Sequence, residues 1–390
     1  MKPLNQTVSG LGTTIFTVMS TLAAKHGAIN LGQGFPDSEG PAEIVRAAAN
    51  GLLDGRNQYA PLTGLPELRQ AVAASNRRWW DLDIDADAGV VVTSGATEGL
   101  AACLAALLNP GDEIVLIEPL FDTYLPIIRL LGAVPRLVRL EPPHWSLPRE
   151  ALAAAFGPRT KALLLNTPMN PTGKVFSRDE LAFLGGLLVE HDAYAICDEV
   201  YEHLVFAPAQ HVPLMGLPGM AERCLRIGSA GKTFSLTGWK IGYVSGPAAL
   251  IAGVAKAHQN LVFSCAPNLQ RAVAIGLAAD DAYFATLASD LATKRDRLSA
   301  GLAQIGFGVL PTAGTYFVVV DIAKFSGDDA AFCRQITEQA GVAAIPLSAF
   351  YEGGGPNHWV RFAFCKQPAI LDEACARLDR YLRTDRSQAA

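Results

Sequence analysis

The amino-acid sequence predicts an α/β fold with two parts, a large domain built on a mostly parallel sheet with helices on both faces and a smaller α/β domain. Between residues 88 and 250, short apolar runs alternate with longer helical patterns, as in a parallel sheet with crossover helices. Apolar residues occur at successive positions of these runs and therefore on both faces, so we expect helices to cover both sides of the sheet. After residue 280 the pattern changes to a long charged helix followed by a new strand, which indicates a second domain.

The elements of both domains can be placed along the chain. Gly89–Val92 predicts a strand, and Glu98–Leu108 predicts the helix that follows it and ends at Asn109-Pro110-Gly111. Other short apolar runs predict strands at Glu113–Ile117, Thr160–Leu165, Ala193–Cys197, Leu225–Ile227 and Ile241–Val244. The small domain is predicted to contain a helix through Lys294–Arg297, a strand at Tyr316–Val320 and a helix at Asp329–Gly341.

A glycine- and proline-rich stretch, Gly32–Asp37, separates the N-terminal segment from the large domain. Because the two ends of a chain often lie together, we expect this segment to join the C-terminal part. The predicted large domain covers residues 40–282, and the predicted small domain covers residues 1–39 and 283–390.

The composition excludes several classes of protein. Of the 390 residues, 50% are apolar and 18% are charged, which excludes a disordered chain and a coiled coil. The net charge is −5, and no block of Lys and Arg occurs that could bind nucleic acid. No apolar run reaches the roughly 18 residues of a membrane span, and the N-terminus lacks the pattern of a signal peptide. We therefore expect a cytoplasmic protein with neither nucleic acid nor membrane as partner.

The numbers and spacings of cysteine, histidine and lysine limit the kinds of site that the chain can contain. The seven cysteines are scattered and never spaced Cys-x-x-Cys, so we expect buried, reduced packing residues. The histidines form no cluster with the spacing of metal ligands, and we expect no metal. Lysine occurs only ten times, which makes a lysine inside a motif informative.

Two kinds of glycine motif can be set aside. Gly10-x-Gly12 and Gly32-x-Gly34 begin like a dinucleotide fingerprint, but neither reaches a third glycine or follows a strand within a βαβ unit. Gly228–Thr233 ends like a nucleoside-triphosphate loop, yet it has two residues between its glycines where that motif needs four.

The segment Thr93–Glu98 is a stronger candidate, because a predicted strand there gives way to a helix through small residues. Backbone N–H groups at a helix start can hold a phosphate, aided by the helix dipole. An ordinary helix cap by a Ser or Thr hydroxyl would require the same residue types. The segment alone leaves both interpretations open.

Four strand-end segments together are informative: Asn166–Gly173, Cys197–Tyr201, Ser229–Thr233 and Thr237–Gly242. In this order they resemble the class I and II pyridoxal-phosphate-dependent aminotransferases of fold type I. With Gly32–Asp37 and Asn57-Gln58-Tyr59, the resemblance covers nearly the whole chain and is closest to the methionine and kynurenine aminotransferases. Leu11–Phe16 is most similar to the bacterial methionine type. The resemblance implies a mixed, mostly parallel sheet and pyridoxal 5′-phosphate as cofactor.

The resemblance also implies roles around the cofactor ring. Lys232 would bind the cofactor covalently and carry a proton, and Asp198 would pair with the pyridine nitrogen. Asn170 and Tyr201 would hydrogen-bond the phenolic oxygen, and Phe121 would stack on the ring. Without the resemblance, these residues read as a solvated lysine, a helix cap, a turn and core aromatics.

A second set of residues is implied for the phosphate and for the dimer. The N–H groups of Ala96 and Thr97, with Ser229 and Lys240, would hold the phosphate. Lys240 stands where aspartate-type relatives carry arginine, so a point charge replaces a bidentate group. Tyr59 would reach the cofactor of a neighbouring subunit, which implies a homodimer with shared active sites.

For the substrates, an amino acid and a 2-oxo acid, the resemblance implies further residues. Arg361 would bind the α-carboxylate as a bidentate pair, although on an alternating strand it could equally be an outward-facing charge. Gly34 would allow close approach of the backbone, Phe16 would line the substrate side, and Asn170 would contact the substrate as well as the cofactor. No second arginine is evidently placed for a side-chain carboxylate, which favours neutral donors such as methionine, aromatic residues or glutamine.

The function expected is a ping-pong transamination. A β-lyase on the same scaffold is the enzymatic alternative, because the same lysine and aspartate serve several reactions of one carbanion. A non-catalytic, cofactor-binding sensor is the alternative from another class. The fold is expected to begin almost at the first residue, which would leave no room for a winged helix.

Overall fold

The computed structural model describes residues 2–55 and 57–389, with side chains up to residue 383. Residues 1 and 390, the outer ends of the predicted small domain, lie outside the described residues. In chain order the strands are β1 Ile29–Asn30, β2 Val90–Ser94, β3 Glu113–Glu118, β4 Val134–Arg139, β5 Thr160–Asn166, β6 Tyr194–Asp198, β7 Cys224–Ser229, β8 Ile241–Ser245, β9 Gly308–Val309, β10 Phe317–Asp321, β11 Val342–Ala343, β12 Ile345–Pro346 and β13 Trp359–Ala363.

In chain order the α-helices are α1 Gln6–Ser9, α2 Ile15–His26, α3 Ala42–Leu53, α4 Pro66–Trp80, α5 Gly95–Leu107, α6 Tyr124–Leu130, α7 Arg149–Ala155, α8 Arg178–Glu190, α9 Ala230–Thr233, α10 Ala248–Leu261, α11 Pro267–Leu277, α12 Asp281–Ile305, α13 Asp329–Gln335 and α14 Pro368–Ala389. Short 3₁₀ turns occupy Leu214–Gly216, Thr237–Trp239 and Leu347–Phe350, and a π-helical turn occupies Ile336–Ala340.

The large sheet has seven strands in the order β2-β8-β7-β6-β5-β3-β4. Strand β8 is antiparallel to both of its neighbours, and every other adjacent pair is parallel. The prediction of a mostly parallel, mixed sheet is therefore confirmed.

Helices cover both faces of this sheet, as expected from strands with apolar residues on both faces. In β2, Val91 belongs to the same apolar core as Leu100 of α5. Its neighbours Val90 and Val92 belong to a second core, which includes Leu68 of α4. Successive residues of a strand point to opposite faces, so one strand contributes to both cores.

The directions of the strands determine which loops lie together at one edge of the large sheet. At the ends of the parallel strands, Asn166 of β5 pairs with Asp198 of β6, which pairs with Ile227 of β7. Strand β2 runs in the same direction and β8 in the opposite one, so the end of β2 at Ser94 meets the start of β8 at Ile241. We call this side of the sheet the carboxyl edge, and ligands of open α/β sheets bind at such edges.

The two ends of the chain come together in a second layer. Strand β1 pairs in parallel with β11, with Ile29 opposite Val342. A four-stranded antiparallel sheet in the order β12-β13-β10-β9 lies in the C-terminal part, and α12 packs against α14. The division into domains at residues 40 and 282 stays a prediction.

All seven cysteines lie within the described residues and are unpaired; six are buried and Cys375 is half-buried. Over residues 2–55 and 57–389, no helix has the length and apolar character needed to cross a membrane.

Candidate active site

Two adjacent cavities open at the carboxyl edge. The inner cavity, of about 230 Å³, contains most of the predicted site in its lining: Ala96, Thr97, Phe121, Asn170, Asp198, Tyr201, Ser229, Lys232 and Lys240. The second cavity, of about 320 Å³, lies between the inner cavity and a third one, and we call it the middle cavity. It adds Phe16, Gly34 and Arg361 and shares Phe121, Asn170, Tyr201 and Lys232 with the inner cavity. The structure thus brings together residues that are far apart in the chain.

Lys232 lies on α9, directly after β7, and its Nζ faces both cavities. The ammonium donates to Tyr316 Oη at 2.8 Å and to the Gly34 carbonyl at 3.5 Å. Burial lowers the pKa of Lys232 to about 8. With that pKa, about a tenth of the amine is neutral at pH 7, far more than for an ordinary lysine. The group can therefore act as a nucleophile and as a proton acceptor.

Asp198 ends β6 and is buried, and burial raises the pKa of its carboxyl. Two contacts oppose that shift: Tyr124 Oη donates to Oδ2 at 2.6 Å, and the Val200 N–H lies 3.5 Å from Oδ1. The Asn166 amide donates to the Asp198 carbonyl at 2.9 Å. Sequence reasoning missed Tyr124, although its position three residues after Phe121 was a usable signal.

The start of α5 tests one of the two interpretations of Thr93–Glu98, the helix cap. The Ser94 side chain makes no capping hydrogen bond, and the Ser94 N–H instead donates to Glu98 Oε2 at 2.9 Å. The cap interpretation is therefore wrong for this helix. The first N–H groups of a helix have no acceptor within it, and here Ala96 and Thr97 line the inner cavity.

Gly95 makes room for a charge beside that helix start. Its φ of 73° lies in the left-handed region that favours glycine, and a Cβ there would lie 3.1 Å from Lys240 Nζ. Lys240 precedes β8, the antiparallel strand, and so reaches the same edge as the helix. An ammonium beside a helix N-terminus has the charge and the N–H donors that suit an anion.

Arg361 is only 1% exposed, so the interpretation of an outward-facing charge is wrong. Its Nη1 donates to Asn170 Oδ1 at 2.7 Å and its Nη2 to the Gly32 carbonyl, whereas Nε has no partner among the described residues. The guanidinium lies 3.8 Å from the ring centroid of Phe317, and burial lowers its pKa to about 10. A buried cation paired only with neutral groups is suited to an incoming carboxylate.

Gly34 is required for a reason that the sequence did not reveal. A Cβ there would lie 2.4 Å from Phe317 Cζ and 2.7 Å from Tyr316 Cε2. The Gly34 carbonyl also accepts from the Tyr316 hydroxyl, which in turn accepts from Lys232. Tyr316 was predicted only as part of a strand, and its place beside the lysine was missed.

Aromatic rings form the walls of the two cavities. The Phe16 and Phe121 centroids lie 6.3 Å apart, and the Phe16 ring lies 5.2 Å from the Arg361 guanidinium. Tyr201 is buried with its ring 5.3 Å from Tyr316, and burial raises the pKa of its hydroxyl.

Tyr59 is the predicted site residue that the structure does not bring to the cavities of its own chain. Its side chain is 82% exposed and lies 5.1 Å from the ring of Phe263. Other large apolar residues exposed on nearby segments are Leu52, Leu53, Leu261, Val262 and Ile275.

Comparison with known proteins identifies the family. The family model for aminotransferase class I and II matches residues 26–378. The chain belongs to this family. A probable N-succinyldiaminopimelate aminotransferase, DapC, from Mycobacterium tuberculosis is 47% identical to this aminotransferase over 378 residues, covering 94% of this chain and 95% of the relative. The Escherichia coli methionine aminotransferase is 41% identical over 369 residues, covering 94% and 96%.

A solved structure agrees with these relatives. The N-succinyldiaminopimelate aminotransferase of Mycobacterium tuberculosis matches this aminotransferase with a TM-score of 0.94 at 46% identity, over 97% of this chain and all of the other. The predicted family, fold type and enzyme class are therefore confirmed. The resemblance in the sequence pointed to methionine and kynurenine aminotransferases and not to a relative named for a succinylated amino acid. The roles of the individual site residues stay predictions.

Proposed function

We propose that this aminotransferase uses pyridoxal 5′-phosphate to move an amino group from an amino acid to a 2-oxo acid by a ping-pong mechanism. The observation that carries the proposal is the meeting of Lys232, Asp198 and Arg361 around two joined cavities. A nucleophilic amine, a buried carboxylate and a buried guanidinium are the three charged groups that this chemistry needs.

The residues present fit the cofactor. The uncapped start of α5 with Lys240 suits a phosphate, and Ser229, whose hydroxyl caps no helix, lines the same cavity. Asp198 suits the protonated ring nitrogen, and Tyr201 and Asn170 suit the phenolic oxygen. Phe121 supplies an apolar face in the cavity wall.

When bound, the cofactor withdraws electrons from the substrate Cα, which makes the Cα proton removable. Lys232 would hold the cofactor through Nζ, and its neutral amine would serve as the acceptor for the Cα proton. Asp198, as a carboxylate, would pair with the protonated ring nitrogen. Arg361 orients the substrate by binding its α-carboxylate, and the rings around it exclude water.

The donor that we propose has no charge where its side chain lies in the middle cavity. The walls there are the rings of Phe16, Phe35 and Phe121, and the carboxylate of Asp122 lies beside them. A second carboxylate at that depth would be repelled by Asp122. Methionine, aromatic residues and glutamine meet this requirement, and so does an amino acid whose distal carboxylate lies beyond this cavity, as in the donor named for the 47% identical relative.

We also propose a cytoplasmic homodimer in which Tyr59 reaches the partner's phosphate site. Its exposure, and that of Phe263 beside it, supports this role because exposed apolar patches mark interfaces. The unpaired cysteines support a reducing compartment.

The test compares Lys232→Ala with Lys256→Ala, an exposed lysine on α10. Lys232→Ala should remove both the absorbance band of the covalently bound cofactor and turnover, and Lys256→Ala should keep both. Transamination retained in Lys232→Ala would refute the proposal. Formation of pyruvate and ammonia in place of a new amino acid would indicate a β-lyase, and a bound cofactor without turnover on any donor would indicate a sensor.

A further inference from the structure

A third cavity adjoins the middle one, and the two share Asp122 in their lining. This outer cleft, of about 510 Å³, is lined by Leu11–Ile15, Val18, Asp122, Pro126, Arg334 and Ala349. Asp122 lines the middle cavity as well. On α2, Phe16 faces the middle cavity whereas its neighbour Ile15 lines the outer cleft. The two spaces therefore lie on either side of a wall formed by Asp122 and the start of α2.

Arg334 supplies the positive charge of the outer cleft. It lies exposed on α13, and within the described part of the chain it makes no hydrogen bond or ion pair. Elsewhere in this protein, arginines are commonly paired with carboxylates, as Arg297 is with Asp372 at 2.6 Å. An unpaired guanidinium in a cleft can bind a carboxylate through two parallel hydrogen bonds.

Asp122 supplies the negative charge at the wall. It is half-buried, and the Thr123 hydroxyl lies 3.4 Å from its Oδ1. Its carboxylate can accept a hydrogen bond from a neutral N–H and repels another carboxylate. A ligand that extends from Arg361 past Asp122 to Arg334 thus meets a cation, an acceptor and a second cation in that order.

We infer that the outer cleft binds the distal end of a long amino donor, with a terminal carboxylate on Arg334 and an amide N–H beside Asp122. The substrate class is an amino acid whose side chain carries an acylamino group that ends in a carboxylate. This inference rests on the proposed function, because it extends the same site. It gives Arg334 a role that no pattern in the sequence indicates.

The test uses two probes that differ only in the distal carboxylate, lysine acylated on its side-chain nitrogen with succinate and lysine acylated there with acetate. For the holoenzyme, KM for the succinylated probe should be at least tenfold lower than KM for the acetylated probe. In Arg334→Gln the ratio of KM for the acetylated probe to KM for the succinylated probe should fall from at least ten to close to one. Arg334→Lys should keep part of this ratio, since lysine retains the charge without the planar guanidinium. Arg383→Gln, which changes an exposed arginine paired with Asp379, should keep the whole ratio.

A wild-type ratio near one, or a ratio that survives Arg334→Gln, would overturn the inference. Calorimetry with Lys232→Ala protein measures binding of the same probes without turnover. If methionine is turned over but neither measurement shows the preference, the inference alone fails. If no amino acid is turned over while an Arg334-dependent preference appears in calorimetry, the proposed function fails and the outer cleft stands as a carboxylate site.

Discussion

The Tyr124 hydroxyl donates to Asp198 Oδ2 at 2.6 Å, and both side chains are buried. Burial raises the pKa of Asp198, whereas this hydrogen bond lowers it. Tyr124 therefore helps to keep the carboxylate ionised in a site that would otherwise favour its protonation.

Tyr124→Phe should lower kcat about tenfold, because a hydrogen bond to a charged group contributes roughly 1.5–3 kcal/mol. It should also move the acid limb of the pH profile of kcat to higher pH, since the pKa of Asp198 rises when the donor is lost. Steady-state kinetics from pH 5 to pH 9 measure both effects. A fall in kcat with an unmoved acid limb would show that Tyr124 only supports packing.

Lys232 should make the stability of the cofactor-free protein depend on pH. Its pKa is lowered from 10.5 to about 8 by burial, so between these pH values the unfolded chain binds more protons than the folded one. The free energy of unfolding therefore rises with pH in that window. Lys232→Met should be more stable than wild type by about 3 kcal/mol at pH 7, and this advantage should vanish by about pH 10.5.

Urea unfolding of the two proteins across this range measures the difference. Lys256→Met serves as the control, because that lysine is exposed. An advantage of Lys232→Met that stays constant from pH 7 to pH 10.5 would contradict a lowered pKa at Lys232.

Gly34→Ala should destabilise the protein by about 1–3 kcal/mol, because a Cβ 2.4 Å from Phe317 Cζ forces the ring or the backbone to move. Gly157→Ala is a matched control, since a Cβ there has nothing within 4 Å. Thermal unfolding of the two variants should differ by several degrees. Equal stability would mean that the Tyr316 and Phe317 rings yield without cost.

Arg226 is the centre of a buried ionic network behind the inner cavity. Its Nε donates to Glu199 Oε2 at 2.5 Å, its Nη1 to Asn76 Oδ1 at 2.6 Å, and its Nη2 to Glu202. Arg226→Met leaves two buried carboxylates without their cation and should cost about 3–5 kcal/mol of unfolding free energy. Arg297→Met, which breaks an exposed pair with Asp372, should cost less than about 1 kcal/mol. Denaturant unfolding that gives similar losses for both variants would refute this ranking.

Much of the fold could be predicted because its central strands contain short apolar runs, as in Thr160–Asn166 and Ile241–Ser245. Strand β4, Val134–Arg139, was missed. It lies at the edge of the sheet, carries a proline and two arginines, and buries fully only one of its six residues. An edge strand needs no apolar run, so the strongest sequence signal for a strand is absent there.

The residues of the candidate site also fall into two groups, those that a local sequence pattern indicates and those that only the fold brings together. Lys232, Asp198 and Asn170 stand in short segments whose residue order is itself informative. Tyr316 contacts Lys232 across 84 positions of the chain, a pairing that follows from packing and leaves no local pattern. Arg334 likewise stands in no recognisable sequence motif. Its place in the outer cleft depends on how α13 lies against the N-terminal segment.

In our proposal, the reaction and the choice of amino donor depend on different parts of the chain. Lys232 and Asp198, which we propose for the reaction, stand at the carboxyl edge of the large sheet, whereas the outer cleft is lined by residues 11–15, Val18, Asp122, Pro126, Arg334 and Ala349. Substitutions in the cleft can exchange one donor for another without moving Lys232 or Asp198. Natural selection can therefore change which amino donors this enzyme accepts through substitutions near its chain ends, while the reaction stays the same.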